Sequence, residues 1–117
     1  MSPADAHVYK ICPAALWREA ESSGVFKGAP VDLADGFIHF STAAQLAETA
    51  RKHFSGQRDL VLVTVATAAL GQALRFEPSR GGDLFPHLYG PLPLSAVTAV
   101  VPLDTGADGN VRIPARG

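Results

Sequence analysis

The sequence predicts an α+β fold, in which a mixed or antiparallel sheet is accompanied by two helices in the N-terminal half of the chain. Three observations carry this prediction. Segments in which apolar and polar residues alternate outnumber segments with a helical period, both helical segments come before residue 57, and no regular alternation of strand and helix follows them. The glycine patterns of the common phosphate-binding α/β folds are also absent from the sequence.

The size and charge of the chain limit its class. Its 117 residues, 47% of them hydrophobic, suit a single domain over 1–117 with one continuous core. A formal net charge of −1 gives no electrostatic footprint for DNA or an anionic membrane. The start MSPADAH resembles no signal peptide, the apolar runs are short, and Cys12 has no partner cysteine. We therefore expect a cytoplasmic protein in which Cys12 packs in the core.

The N-terminal third predicts a strand, a helix and a loop. HVYKI (7–11) alternates like a strand, and Pro13 can start the helix that follows over 14–22. Trp17 lies on the apolar face of that helix, which Gly24 ends. The stretch from 24 to 36 contains glycine, proline and aspartates without a period, and this predicts a surface loop.

The middle of the chain predicts a strand, a second helix and a buried strand. Phe37 to Phe40 form a short strand, with Ile38 and Phe40 on one face and Phe37, His39 and Ser41 on the other. Thr42 and Gln45 form a capping box for a helix that ends near Gly56. The run LVLVTV (60–65) is apolar on both faces, which predicts an interior strand.

The C-terminal half predicts further strands. In LRFE (74–77), Leu74 and Phe76 should point inward while Arg75 and Glu77 share the opposite face; Pro78 and the SRGGD loop (79–83) end this strand. The proline in TAVVPL (98–103) indicates an edge strand or a bulge, and VRI (111–113) can add a short terminal strand.

The segment GFIHFST (36–42) is the first candidate site. His39 lies one step before the start of a helix, and the hydroxyl residues Ser41 and Thr42 follow it beside free backbone amides that attract anions. This arrangement can bind a ligand. The alternative is a histidine that is satisfied within the core, with Ser41 and Thr42 serving only as caps.

The segment FPHLYG (85–90) is the second candidate site. Pro86 holds the chain extended, so that His87 and Tyr89 project to one side and can stack on a flat ring. The alternative is an aromatic plug under a loop. On the neighbouring strand, Glu77 can contact a ribose or offset positive charge in a transition state, or it can form a solvated ion pair with Arg75.

The remaining motifs argue against two kinds of chemistry. The four histidines occur singly, without the HxxxH or HExxH spacing of a metal site, so we expect no metal. The sequence also lacks the GxSxG turn of the α/β-hydrolases.

The order of these segments resembles a small bacterial family, domain of unknown function 952, over about residues 8 to 103. The resemblance rests on VYKI, the W-x-x-A helix, GFIHFST-x-x-Q, LVLVTV, LRFE and FPHLYGPL. The family has no established activity, but it is similar to the ADP-ribosylation fold of ADP-ribosyltransferases and tRNA 2′-phosphotransferases. The resemblance implies a compact fold of that kind.

The resemblance to the ADP-ribosylation fold also suggests roles for individual residues. Ile38-His39-Phe40-Ser41 resembles the phosphotransferase segment, which implies that His39 lines a nucleotide cleft. Tyr9-Lys10 stands where transferases often carry a histidine for the NAD ribose, and Glu77 is placed near the transferase glutamate, although its LRFE setting departs from the usual motif.

Together these features predict a cleft for NAD or another nucleotide-like or phosphorylated small molecule, with ribosyl or phosphate transfer and no cofactor. Glu77 and His39 are the catalytic candidates. The ligand-binding candidates are Lys10, His39, Ser41, Thr42, Arg75, His87 and Tyr89. The alternative is a non-catalytic ligand-binding or protein-interaction module on the same fold, which the lysine at position 10 favours.

Overall fold

A computed structural model describes residues 6–79 and 82–114 of the chain. Within these residues it has an α+β fold of nine strands and three α-helices, as the sequence predicts. The strands are β1 His7–Pro13, β2 Val25–Phe26, β3 Ile38–His39, β4 Leu60–Ala66, β5 Leu74–Pro78, β6 Leu84–Leu88, β7 Leu92–Pro93, β8 Val97–Thr105 and β9 Val111–Arg112. The helices are α1 Ala14–Ser23, α2 Pro30–Asp35 and α3 Leu46–His53.

The largest sheet is antiparallel and has the order β1-β4-β8-β9. LVLVTV forms β4 and pairs on both sides, so the predicted interior strand is confirmed. Among the described residues, β9 pairs only with Asp104 and Thr105 of β8. The rest of β8 therefore lies at the sheet edge, where a proline such as Pro102 is tolerated.

Two smaller sheets carry the site segments. One pairs β2 with β7, and the other has the order β3-β6-β5. In the latter, His39 is paired with His87, and His87 is paired in turn with Arg75. A bridge between Tyr9 and Ser41, with backbone hydrogen bonds of 2.8 Å in both directions, joins this sheet to β1.

The core lies on both faces of the large sheet because alternate residues of β1 and β4 point to opposite sides. On one face Val8, Cys12, Val63 and Val65 pack against Trp17 and other apolar residues from α1 and the smaller sheets. On the other face, Tyr9, Ile11, Leu60 and Leu62 pack against Leu46 and Ala50 of α3. Burial raises the pKa of the Cys12 thiol to about 11, which agrees with its predicted packing role.

Both predicted helices are present. Helix α1 ends at Gly24, which has a φ of 88° and donates its backbone N–H to the carbonyl of Ala20. The second starts with a 3₁₀ turn, Ala43–Gln45, in which the side chain of Gln45 accepts a hydrogen bond from the backbone N–H of Thr42 at 3.0 Å. It continues as α3 to His53.

Two sequence predictions are wrong. The stretch from 24 to 36 is not a plain loop, because it contains β2 and the third helix, α2. With only six residues, and with Val31 and Leu33 exposed, α2 has no apolar period to reveal it. Phe76 is 37% exposed and does not point inward, because β5 lies at the edge of its sheet.

Two features fall partly outside the described chain. Residues 80 and 81 of the predicted SRGGD loop and residues 1–5 of the N-terminal segment are not described. Among the helices of the described residues, none is long and apolar enough to span a membrane.

Candidate functional site

An open cleft of about 820 Å³ lies between the β3-β6-β5 sheet, helix α2, strand β1 and helix α3. Its wall mixes aromatic rings with ionisable side chains. Those ionisable or hydroxyl side chains include Tyr9, Lys10, Asp32, Asp35, His39, Ser41, Glu48, Thr49, Lys52, His53, Asp83 and His87. The cleft therefore contains both histidines that the sequence singles out.

Asp32 anchors the charged part of this wall. Its side chain is fully buried and lies 3.0 Å from the Nζ of Lys10. It accepts hydrogen bonds from the backbone N–H of Ala29 at 2.7 Å and from the backbone N–H of His39 at 3.1 Å. Burial raises the pKa of Asp32, but the Lys10 ammonium and the hydrogen bonds from His39 and Ala29 outweigh it, so the pKa is lower than usual.

His39 is held between two carboxylates. Its Nδ1 lies 2.6 Å from Asp32 Oδ1, and its Nε2 lies 2.9 Å from Asp35 Oδ2. The backbone carbonyl of His39 accepts a hydrogen bond from Lys10 at 2.9 Å. Because a neutral imidazole donates through one nitrogen only, the ring satisfies both carboxylates when both nitrogens carry protons.

His87 is held by Glu77. The Nδ1 of His87 donates to Glu77 Oε1 at 2.8 Å, and the hydroxyl of Tyr89 donates to the same oxygen at 2.7 Å. The hydrogen bonds from Tyr89 and His87 lower the pKa of Glu77, and the bond to Glu77 raises the pKa of Tyr89. The guanidinium of Arg75 lies over the Tyr89 ring, 5.2 Å from its centroid.

Phe37 packs the two histidines against each other. Its ring stacks on His87 with a centroid distance of 4.1 Å and also contacts His39 at 4.6 Å and Tyr89 at 5.2 Å. The centroids of His39 and His87 are 5.5 Å apart, with the rings edge to face. The prediction that both histidines face one cleft is confirmed.

The other predicted site residues have different positions. Lys10 and Ser41 lie in the cleft wall, but both are buried, and the Ser41 hydroxyl is 2.8 Å from that of Thr49. Four predicted site residues do not line the cleft wall that the described residues form. They are Thr42, Arg75, Glu77 and Tyr89. The carboxylate of Glu77 thus contacts His87 from outside the wall of the cleft.

Sequence reasoning missed Asp32 and Asp35, which fell in the predicted loop. A signal for them is present in the sequence. Pro30 stands at the first position of α2 and Asp32 at the third, a pattern typical of a helix start. Residues three apart share a helix face, so this start would have placed Asp32 and Asp35 together.

The donor atoms around the histidines do not amount to a metal centre. Within residues 6–79 and 82–114, no group of three or more histidine, cysteine, aspartate or glutamate side chains is placed to hold a metal ion. Asp32 is already neutralised by Lys10, and Glu77 is already engaged by His87 and Tyr89. The arrangement instead offers two imidazoles, each oriented by a carboxylate.

Solved structures of one bacterial protein are similar to this chain. The crystal structure of protein CC0527 from Caulobacter crescentus is 51% identical, has a TM-score of 0.88, and the match covers 91% of this chain and 93% of that one. Its solution NMR structure is 51% identical, with a TM-score of 0.81 and 90% of each chain covered. A double mutant of the same protein matches at 49% identity and a TM-score of 0.87, covering 91% of this chain and 93% of that one.

The family comparison agrees with the segment order. No curated protein matches the chain. The model of the family described as "Protein of unknown function (DUF952)" matches residues 11–100, which include β3, β6 and both histidines. The resemblance that the GFIHFST and FPHLYG segments carry is therefore confirmed at the level of this family, and the chain belongs to DUF952.

Proposed function

We propose that the cleft binds a nucleotide-like or other phosphorylated small molecule and that His39 and His87 act on its ribosyl or phosphate group. One observation carries the proposal. Two imidazoles lie 5.5 Å apart in the wall of a cleft of about 820 Å³, and each is oriented by a carboxylate. Such a volume falls within the range of small-molecule sites, and paired acid–base groups with fixed orientation are typical of catalytic centres.

The similarity to the ADP-ribosylation fold is part of this proposal. It is supported by the α+β class, by the antiparallel pairing of the strands, and by the segment Ile38-His39-Phe40-Ser41, which leads from a strand into a helix. With NAD as the substrate, His39 would contact the ribose. Glu77, which contacts His87 and is not in the cleft wall, would act as a positioning residue and not as a direct contact of the ribosyl cation.

The second candidate is a non-catalytic binding module, and the completeness of the Asp32 network favours it. Lys10, Asp32 and His39 satisfy one another without any ligand, as a purely structural cluster would. Lys10 is buried in this network at the position where transferases often carry a histidine. On this hypothesis the cluster only holds α2 against β3.

A thermal-shift screen with NAD, ADP-ribose, mononucleotides and RNA ending in a phosphate tests the proposal. A ligand at 100 times its dissociation constant should add about 2.7 kcal/mol to the free energy of unfolding. We expect His39→Ala to abolish most of this gain, because its ring lines the cleft. His7→Ala is the matched control, since His7 is exposed on β1 and is not in the cleft wall. If none of these compounds stabilises the wild type, the binding proposal is wrong and the module hypothesis gains.

A further inference from the structure

We infer that the cleft hydrolyses a phosphodiester that carries a single negative charge, with His87 as the general base and His39 as the general acid. This inference rests on the proposed function and narrows its substrate class. It follows from three features of the described residues. These are the unbonded Nε2 of His87, the exposed carboxylate of Asp35 that a ligand can displace from His39, and the balance of charges in the cleft wall.

His87 has the geometry of a general base. Donation of Nδ1–H to Glu77 leaves the lone pair of the neutral ring on Nε2. Among the described residues, Glu77 is the hydrogen-bond partner of Nδ1, and Nε2 has no hydrogen-bond partner. Because Glu77 occupies Nδ1, Nε2 is the nitrogen left for a ligand. Stacking on Phe37 fixes the plane of the imidazole.

His39 has the geometry of a general acid. Its two carboxylate partners differ in exposure, because the side chain of Asp32 is fully buried whereas that of Asp35 is 48% exposed. A ligand oxygen can therefore replace Asp35 at Nε2 while Asp32 continues to hold Nδ1. The proton on Nε2 is then directed at the ligand, as general acid catalysis requires.

The charges in the cleft favour a single phosphodiester over a polyphosphate. The wall has the carboxylates Asp32, Asp35, Glu48 and Asp83, and its lysines are Lys10 and Lys52. Lys10 is paired with Asp32 at 3.0 Å, and Lys52 lies 3.7 Å from Glu48. Of the lysines in the described wall, Lys10 is held by Asp32 and only the exposed Lys52 can turn to a ligand, which is too few cations to balance several phosphate charges. A doubly protonated His39 can balance one.

The chemical step uses water as its only co-reactant. His87 Nε2 takes a proton from water while the water oxygen forms a bond to phosphorus. The bond from phosphorus to the leaving oxygen breaks, and its electron pair stays on that oxygen, which receives the Nε2 proton of His39. The products are a phosphomonoester and an alcohol. The proton gained by His87 returns to His39 through solvent, which restores both rings.

Two diesters with different leaving groups test the assignment. The leaving oxygen of uridine 2′,3′-cyclic phosphate is a ribose alkoxide that needs protonation, whereas thymidine 5′-(4-nitrophenyl phosphate) releases a stable phenolate. We expect His87→Ala to lower kcat about 10²- to 10⁴-fold on both. His39→Asn should lower it by a similar factor on the cyclic diester and much less on the nitrophenyl diester. Equal losses on both diesters in His39→Asn would show that His39 is not the acid.

Glu77→Gln tests the positioning role of the glutamate. Because Glu77 acts through the base, the variant should lower kcat by the same factor on both diesters and leave KM unchanged. A raised KM with unchanged kcat would contradict this role. Glu19→Gln, on the exposed side of α1, is the control and should behave like the wild type.

If the wild type cleaves neither diester but still binds a ligand in the thermal-shift screen, the inference of hydrolysis is wrong while the proposed binding function stands.

Discussion

Asp32 is the residue on which the candidate site depends most. It links β1, α2 and β3, because its carboxylate contacts Lys10, the backbone of Ala29 and both the ring and the backbone of His39. A fully buried carboxylate is stable only when it is paired and hydrogen-bonded. The network therefore stabilises the fold and orients His39 at the same time.

The lowered pKa of Asp32 predicts how stability changes in acid. A carboxyl group with a lower pKa in the folded protein stabilises the fold above its unfolded pKa, about 3.9, and this contribution is lost as the pH falls through the folded pKa. We expect Lys10→Met to weaken this pH dependence, because it removes the ammonium that lowers the pKa. At pH 7 the variant should be about 3–5 kcal/mol less stable, since it leaves a buried carboxylate without its ammonium partner. Urea unfolding in steps from pH 7 to about pH 2 measures both effects.

Lys52→Met is the matched control for Lys10→Met. Lys52 also lies near a carboxylate, that of Glu48, but both side chains of that pair are exposed. Solvent screens such a pair, so the control should change stability much less. Equal losses in the two variants would contradict the role given to the buried network.

At the scale of the elements, the short helix α2 brings the carboxylates to His39. Pro30 starts it, Gly36 ends it with a φ of 87°, and residues 32 and 35 face the same side. The backbone that leads into α2 passes close to Asp32, because a Cβ on Gly28 would lie 2.8 Å from the Cβ of Asp32. Gly28 also has a φ of 122°, which L side chains rarely adopt.

Gly28→Ala should therefore disturb both the fold and the site. We expect a loss of about 2–5 kcal/mol, from the unfavourable backbone conformation and from the overlap with Asp32. Gly24→Ala is the control, because its φ is 88° and a Cβ there would meet nothing within 4 Å. That variant should lose only about 1–2 kcal/mol. Urea unfolding gives the two values, and indistinguishable losses would show that the contact with Asp32 does not matter.

At the scale of the whole molecule, the central strand β4 joins the two halves of the core. Leu62 packs in the cluster on the α3 face of the sheet, and its neighbour Val63 packs in the cluster on the α1 face. Both are almost inaccessible to solvent, whereas Val101, on the edge strand β8, is 38% exposed. One strand thus contributes to both clusters, which favours a single cooperative unfolding transition.

Shortening a buried side chain of β4 should lower the free energy of unfolding on either face of the sheet. We expect Leu62→Ala to lower the free energy of unfolding by about 2–5 kcal/mol, and Val63→Ala by about 2–3 kcal/mol. Val101→Ala should change it by less than about 1 kcal/mol. Calorimetry should show one transition in every variant. A large loss from Val101→Ala, or two separate transitions, would contradict this description of the core.

Local sequence patterns were enough to predict most of the helices and strands. The alternation in HVYKI, the two apolar faces of LVLVTV, and the glycine and capping signals at Gly24 and Thr42 each correspond to an observed element. These patterns succeed because strand period, helix period and caps depend on residues close together in the chain. Helix α2 was missed because its six residues bury too little apolar surface to leave a period.

By itself, the sequence determined the α+β class, the interior position of β4 and the two histidine segments. Only the tertiary structure decided which carboxylate orients which histidine. Asp32 is 7 residues from His39, and Glu77 is 10 residues from His87, so these contacts depend on how α2 packs against β3 and on the register between β5 and β6. Strand register and helix packing are set by burial across the whole molecule, which no local pattern contains.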